Sequence, residues 1–368
     1  MNISFKIIGI ILIAVLFSSC EKTIDFKGDE IEPKIVVNGL LVAGTKVSAN
    51  IFQSRSLLSE KGYFESLKDA KADLYVDGEF VETLKYESKI DTFRKRLDHN
   101  LSENIPYENG IYTSETLVEP GRTYKLEVSR EGVNSVNCET TVPEPVEIIS
   151  VDTLTEVVEK DWGTTQFFTI LMKFKDPGDR KNYYRVQVNN ERGSALNYYY
   201  SDQIVYTDTI LVSKGQGIGF YLNDPIFKNS ESEANDIVLG APDNQYAIFD
   251  DSQISGREYT LKAQFSNYIS NVSDIEHGDF LIQQPILYSI TKDYFDYLNT
   301  VNYHFWFQDD YFSEPVPVYT NVNGGLGIWS SAGVSQYSIT IGNYPMPGKT
   351  YVDADEYYQY GAGGYSPY

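Results

Sequence analysis

From Pro33 to Pro145 apolar and polar positions alternate in short runs separated by turn residues, the period of half-buried strands rather than of helices. KIVVNGLLV is interrupted by Asn38-Gly39, and VSANIF alternates through Val47, Ala49 and Ile51. ADLYVDGEFVETLKY reads as a hairpin, because Asp77-Gly78 supplies the positive φ angles of a type I′ turn. Simple two-residue pairing would set Leu74 against Val81, Tyr75 against Phe80 and Asp73 against Glu82. The last pair opposes like charges, so a bulge that shifts the register is expected. EPGRTYKLEV follows, with Gly121 at a turn and Tyr124, Leu126 and Val128 on one face. Short strands at this spacing predict an immunoglobulin-like sandwich over 33–145, closed by TVPEPV, since Pro143 and Pro145 do not continue a central strand.

The pattern resumes after the prolines. EIISVDTLTEV, QFFTILMKFKD, NYYRVQV, NYYYSDQIVYTDTILV and GREYTLKAQF all read as strands, with Tyr184, Val186 and Val188 alternating, as do Tyr259, Leu261 and Ala263. GRTYKLEV (121–128) and GREYTLKA (256–263) share Gly-Arg-x-Tyr-x-Leu. That echo fits two sandwiches of common ancestry, but a turn glycine placed before any alternating strand is the better reading, because the intervening residues show no further match. One helix interrupts the strands near 291–304: Tyr294, Leu298, Val301 and Phe305 recur at helical spacing, Thr291 suits the N-cap and Asp293 the first turn. The fold class expected is all-β: an N-terminal immunoglobulin-like sandwich, then a second β-rich sandwich-type domain over 146–350 with one short helix. Residues 351–368, rich in Tyr and Gly, are expected to form a loosely ordered tail.

The N-terminal stretch departs from this pattern. Lys6 precedes an apolar run, Ile7–Phe17, broken only by Gly9. At 11 residues the run is short of the ~20 needed to cross a bilayer and matches the core of a secretory signal. Ser18-Ser19 then leads to Cys20. The segment 1–19 resembles a bacterial lipoprotein signal, with Phe17 where such signals usually carry leucine. The resemblance implies cleavage before Cys20 and acylation of its thiol. A single acyl chain holds a protein only marginally, so lasting attachment requires several. Residues 20–32, polar and acidic, read as a flexible tether.

Composition narrows the partners. The chain carries 30 basic and 52 acidic residues, a net −22, and loses only Lys6 with the signal. Such an acidic surface argues against nucleic acid and against adsorption to anionic lipid through a basic patch. Thirty tyrosines and nineteen phenylalanines favour strands. Cys138, the one other cysteine, lies on the apolar side of an alternating run and reads as a small core residue rather than a reactive thiol.

Catalytic chemistry finds no foothold in these patterns. His99, His277 and His304 stand apart without the spacing of a zinc site. There is no Gly-x-Ser-x-Gly elbow, P-loop or dinucleotide fingerprint. Asp250-Asp251, Asp309-Asp310 and Asp353–Glu356 do not follow the spacing of an EF-hand loop. No cofactor or metal is expected, and the protein is expected not to be an enzyme. Clustered tyrosines are the hint of binding that remains. Tyr198, Tyr199 and Tyr200 in NYYYSD are the candidate ligand-binding residues, offering broad contact area at modest entropic cost, against cross-strand packing of the same rings.

Taken together, the lipoprotein-like cysteine with its acidic tether, PKIVVNGLL, GRTYKLEVS, TVPEPV, FKDPGDRKNYYRVQV, ITKDYFDYL and FSEPVPVYTNVNGGLGIW resemble the domain-of-unknown-function 4249 family. That family consists of Gram-negative cell-envelope lipoproteins often encoded beside TonB-dependent outer-membrane receptors, and has no agreed catalytic residues. The resemblance implies a protein held on the outer membrane through acyl chains on Cys20. It would act as the accessory or ligand-capture partner of a TonB-dependent receptor. A stand-alone surface protein that binds an oligosaccharide or peptide, and a structural or adhesive module, are the alternatives.

Overall fold

The computed structural model describes residues 32–55, 66–96, 102–160, 163–201, 203–217, 219–228, 244–266, 277–307 and 316–360. The expected signal, Cys20 and nearly all of the tether lie outside these residues, as do Asp309-Asp310 and residues 361–368. The fold is mainly β, as the alternation predicts, and built of strands in facing sheets.

In the N-terminal lobe, Ile35–Val42, Lys46–Gln53, Ile111–Leu117 and Lys85–Glu87 form one layer. The other layer runs Val133–Thr141, Thr123–Arg130, Lys71–Val76, Glu79–Thr83. Each strand turns alternate side chains inward, and Ile35, Val37, Ile51, Leu74, Leu126 and Cys138 meet in a common core. The predicted hairpin forms with the predicted shift. Asp77 and Gly78 both take positive φ, and a bulge between Leu74 and Tyr75 moves Asp73 opposite Thr83, away from Glu82. Thr83 Oγ1 then donates to Asp73 Oδ1 at 2.5 Å. Tyr124 begins its strand as a tyrosine corner: its hydroxyl donates to the Leu117 carbonyl at 3.1 Å and accepts from the Glu119 N–H at 2.9 Å.

One strand of this lobe comes from far along the chain. Leu326–Gln336 pairs in parallel with Ile35–Val42, from Val36 against Leu326 to Val42 against Ala332. Val322 and Trp329 lie in the N-terminal core. The Trp329 indole N–H donates to the Tyr124 carbonyl at 3.0 Å. The segment read as part of the second domain thus completes the first sandwich. Gly39 is glycine because a Cβ there would lie 2.5 Å from the Trp329 ring. Alternation along the N-terminal strands could not reveal this pairing, since the partner is supplied some 290 residues later.

On its other edge Leu326–Gln336 pairs antiparallel with Phe280–Ile290, and the sheet continues through Tyr183–Tyr200, Gln203–Gly215 and Thr350–Asp353. A three-stranded sheet of Ile148–Lys160, Gly163–Lys175 and Glu258–Ser266 covers its face. Phe168, Ile170, Met172, Phe174 and Leu261 pack there against Tyr184, Val186, Val188 and Leu287. Helix α1 (Lys292–Phe307) lies on the opposite face, its Tyr294, Phe295 and Leu298 packed with Ile290, Ile328 and Ala332. Thr291 caps it, accepting from the Tyr294 N–H at 3.3 Å. The stripe differs from the one expected: Phe295 and Asn302 are buried, whereas Phe305 points to solvent at 53 % exposure. Phe305 follows Leu298 by seven residues on the same side of the helix, but the surface that packs Tyr294, Phe295 and Leu298 does not extend beneath it.

The expected tail also needs correcting. Residues 350–353 form a parallel strand against 209–212, and helix α2 (Ala354–Tyr360) follows. Tyr351 is held by Phe280 and Tyr344 at ring distances of 5.9 and 5.1 Å, and Ala354 is buried. Low complexity concealed a segment anchored by aromatic packing.

The register also lines two strands up end to end within the sheet. Val42, Ala332, Ile290 and Tyr183 share one rung. Ile35–Val42 runs up to that rung and Tyr183–Tyr200 continues from it in the same direction. The path from Ile35 to Tyr200 therefore follows strand for about 80 Å.

Candidate functional site

Tyr198, Tyr199 and Tyr200 sit at the tip of a long hairpin. Tyr183–Tyr200 pairs with Gln203–Gly215, ending with Tyr200 against Gln203. Ser201 takes φ 47°, the left-handed conformation that a two-residue turn requires. A bulge between Ala195 and Asn197 is fastened by Thr207, whose hydroxyl donates to the Leu196 carbonyl at 2.9 Å. Below it, Ala195, Ile210, Val212 and Phe280 form a small core of their own. Tyr206 stacks on His277 with ring centroids 3.7 Å apart. The base of this arm is thus packed, while the tip carries its apolar groups in solvent: Tyr198 is 53 % exposed, Tyr200 70 %, and Ile204 is also exposed. The side chain of Tyr199 lies outside the described residues. Alternation puts Tyr198 and Tyr200 on the face that carries Tyr184, Val186 and Val188 toward the three-stranded sheet.

At the other end of that strand the chain buries carboxylates, and all of them are spoken for. Asp176, fully buried, accepts from the Tyr184 hydroxyl at 2.5 Å, the Asn182 amide at 3.1 Å, and the N–H groups of Gly178 and Gly256 at 2.9 Å each. The two glycines have positive φ and their backbones touch; a Cβ on Gly178 would lie 2.4 Å from the Gly256 Cα. Burial, then the bond to Asp176, pushes the Tyr184 hydroxyl far above the usual tyrosine range. Asp251 accepts from the Asn182 N–H at 2.9 Å, and Lys181 reaches Asp250 at 2.9 Å and Asp251 at 3.1 Å. Asp224, also buried, accepts from the Ile226 and Lys262 N–H groups and from the Tyr259 hydroxyl. These are knots that tie loops to strands, and each acceptor is already occupied. The knot around Asp176 is not foreseen from the sequence, where the Asp-Pro-Gly-Asp run of FKDPGDRKNYY is the signal that could have pointed to it.

The remaining candidates within the described residues, which do not include His99 or Asp309-Asp310, are likewise engaged. Asp353 caps α2, accepting from the Asp355 N–H at 2.9 Å. Cys138 is buried and its thiol is pushed up to about 12 by burial, so it packs rather than reacts. His304 shares a hydrogen bond with the Val316 carbonyl at 2.8 Å. Among the described residues no three His, Cys, Asp or Glu side chains gather as metal ligands, and no helix is long and apolar enough to cross a membrane.

The family described as Domain of unknown function (DUF4249) has a model that matches residues 21–338. The chain belongs to that family. No curated protein matches it. In this DUF4249 protein the stretches that carry the resemblance meet in strand pairing and packing. PKIVVNGLL pairs with GLGIW across the seam between the lobes. The TVPEPV segment is stitched to the same seam: the Val146 N–H donates to Ser289 Oγ at 3.1 Å, and Ser331 Oγ donates to the Thr141 carbonyl at 3.0 Å. FKDPGDRKNYY forms the Asp176 knot. Asn321, from VYTNVN, brackets Trp329: its amide donates to the Trp329 carbonyl at 2.7 Å and its oxygen accepts from the Trp329 N–H at 2.9 Å.

Proposed function

We propose that this DUF4249 protein is an outer-membrane lipoprotein, acylated on Cys20, that is not an enzyme and serves as an accessory or ligand-capture partner of a TonB-dependent receptor. The observation that carries the reading is the placement of the tyrosine tip. The tether joins the fold at Ile35, and Tyr200 lies about 80 Å of strand away at the far end of the same sheet. A body tied at one end and aromatic at the other is suited to reach from a membrane toward a contact. The occupied state of Asp176, Asp224 and Asp251 supports a contact role over a hydrolytic one. Attachment by lipid confines the protein to two dimensions, which raises its effective concentration at a membrane partner without a strong interface. Intact-mass spectrometry of the membrane form tests the anchor, and affinity capture from mildly solubilised membranes tests the partner. A lipidated N-terminal Cys20 and a co-purifying receptor are expected. An unmodified Cys20 behind an uncleaved leader overturns the anchor, and capture without any TonB-dependent receptor overturns the partnership.

A further inference from the structure

We propose that Tyr198 and Tyr200 form a stacking site for a neutral oligosaccharide at the tip of the hairpin arm. The inference takes from the preceding reading only that the arm makes contacts. Three observations carry it. Tyr198 and Tyr200 lie two residues apart on one strand and so share a face, their backbones separated by about 6.7 Å. That separation suits rings meeting successive sugars of a chain. Both side chains are largely exposed although the strand below them is packed, so the strand is anchored while the rings stay uncovered.

Charge then selects the ligand. Residues 193–207 contain a single charged residue, Asp202, and 163–172 on the facing hairpin contain none, against 22 % charged over the whole chain. Both hairpins leave the Asp176 knot in the same direction. Gly163–Lys175 runs back from its Lys175 end beside Asp176, and Tyr183–Tyr200 runs forward from Tyr183. The tip of the arm and residues 163–172 therefore lie at the same end of the second lobe. Between 193 and 207 the arm itself offers an ionic ligand one carboxylate, Asp202, and no cation. Hydroxyl and amide groups from Ser194, Asn197 and Gln203 surround the rings in sequence, the donors and acceptors that sugar hydroxyls need. A peptide added along the strand's free edge would be held by main-chain bonds and would not depend on the two rings.

The test is titration calorimetry of the full-length protein in a sugar-free detergent with maltohexaose, cellohexaose, mannohexaose and N-acetylchitohexaose. At least one is expected to bind. Replacing both tyrosines by alanine should weaken it about tenfold or more, and replacing both by phenylalanine should change it by about threefold at most, because stacking survives. Since both rings are exposed, thermal melts of the variants should match the parent, which separates lost binding from lost folding. Failure of all four sugars to bind overturns the proposal. So does binding that survives the double alanine change, or binding of an uncharged hexapeptide in place of the sugars. Mass spectrometry of Cys20 on the same sample reads the membrane attachment separately, so either conclusion can fail while the other stands.

Discussion

Trp329 offers a test of whether the two lobes share one strand. Its side chain is fully buried in the N-terminal core, although it enters that core from the strand Leu326–Gln336. Trp329→Ala removes a large aromatic group from a packed site, which costs about 3–5 kcal/mol. It also strips the Tyr124 carbonyl of its indole donor, adding about 1 kcal/mol. A total of about 4–6 kcal/mol is a large share of a typical domain's stability. The assay uses Cys138, which is buried in the same core and opens to thiol reagents only when that core opens. Labelling under native conditions should accelerate about a thousandfold or more, since each 1.36 kcal/mol is a factor of ten. Acylation would block Cys20, and a free Cys20 would be counted as a second, separate thiol. An acceleration below tenfold, with the second lobe alone destabilised, would refute the shared-strand account.

Two other expectations follow from the buried polar groups. Asp176→Ala leaves four donors facing a void and should cost about 3 kcal/mol or more, measured by urea unfolding; a loss below 1 kcal/mol would mean the knot is dispensable. For Asp250, burial pushes the carboxyl up, yet bonds from Ser252 and Lys181 outweigh it and hold the group below its ordinary value. The contribution is therefore present above the unfolded value of 3.8 and lost as pH falls through the folded one. Lys181 is raised despite burial, by Asp250 and Asp251, so its part persists up to 10.5 and is lost only at higher pH. Lys181→Met should thus cost stability on the neutral plateau and nothing at strongly acid pH. With Lys181 nearly half exposed the plateau loss is about 0.5 kcal/mol. A loss that is the same at every pH would contradict this.

Local pattern made much of the fold legible. The Asp77-Gly78 turn, the bulge that frees Asp73 from Glu82, the core position of Cys138 and the Thr291 cap could all be read from a few neighbouring residues. What could not be read depends on partners distant in the chain. Leu326–Gln336 alternates like any strand, and nothing within it states that Ile35–Val42 is its neighbour. Gly39 looks like turn punctuation beside Asn38 and proves to be clearance for an indole. The expected helical stripe took Phe305 as core because periodicity extends over the whole helix while the surface beneath it does not. At the candidate site, the clustering of Tyr198 to Tyr200 was visible, but the length of the arm depends on the pairing with Gln203–Gly215.

The parallel join between Ile35–Val42 and Leu326–Gln336 bears on how the protein is made. A chain delivered from its N-terminus presents its first strand long before the neighbour for that strand exists, and the socket for Trp329 stays empty meanwhile. Non-local pairing of this kind closes late and slowly. The first lobe thereby reports on completeness: a product cut short before Leu326 keeps an open edge and a vacant hole, and offers itself to proteases as unfinished.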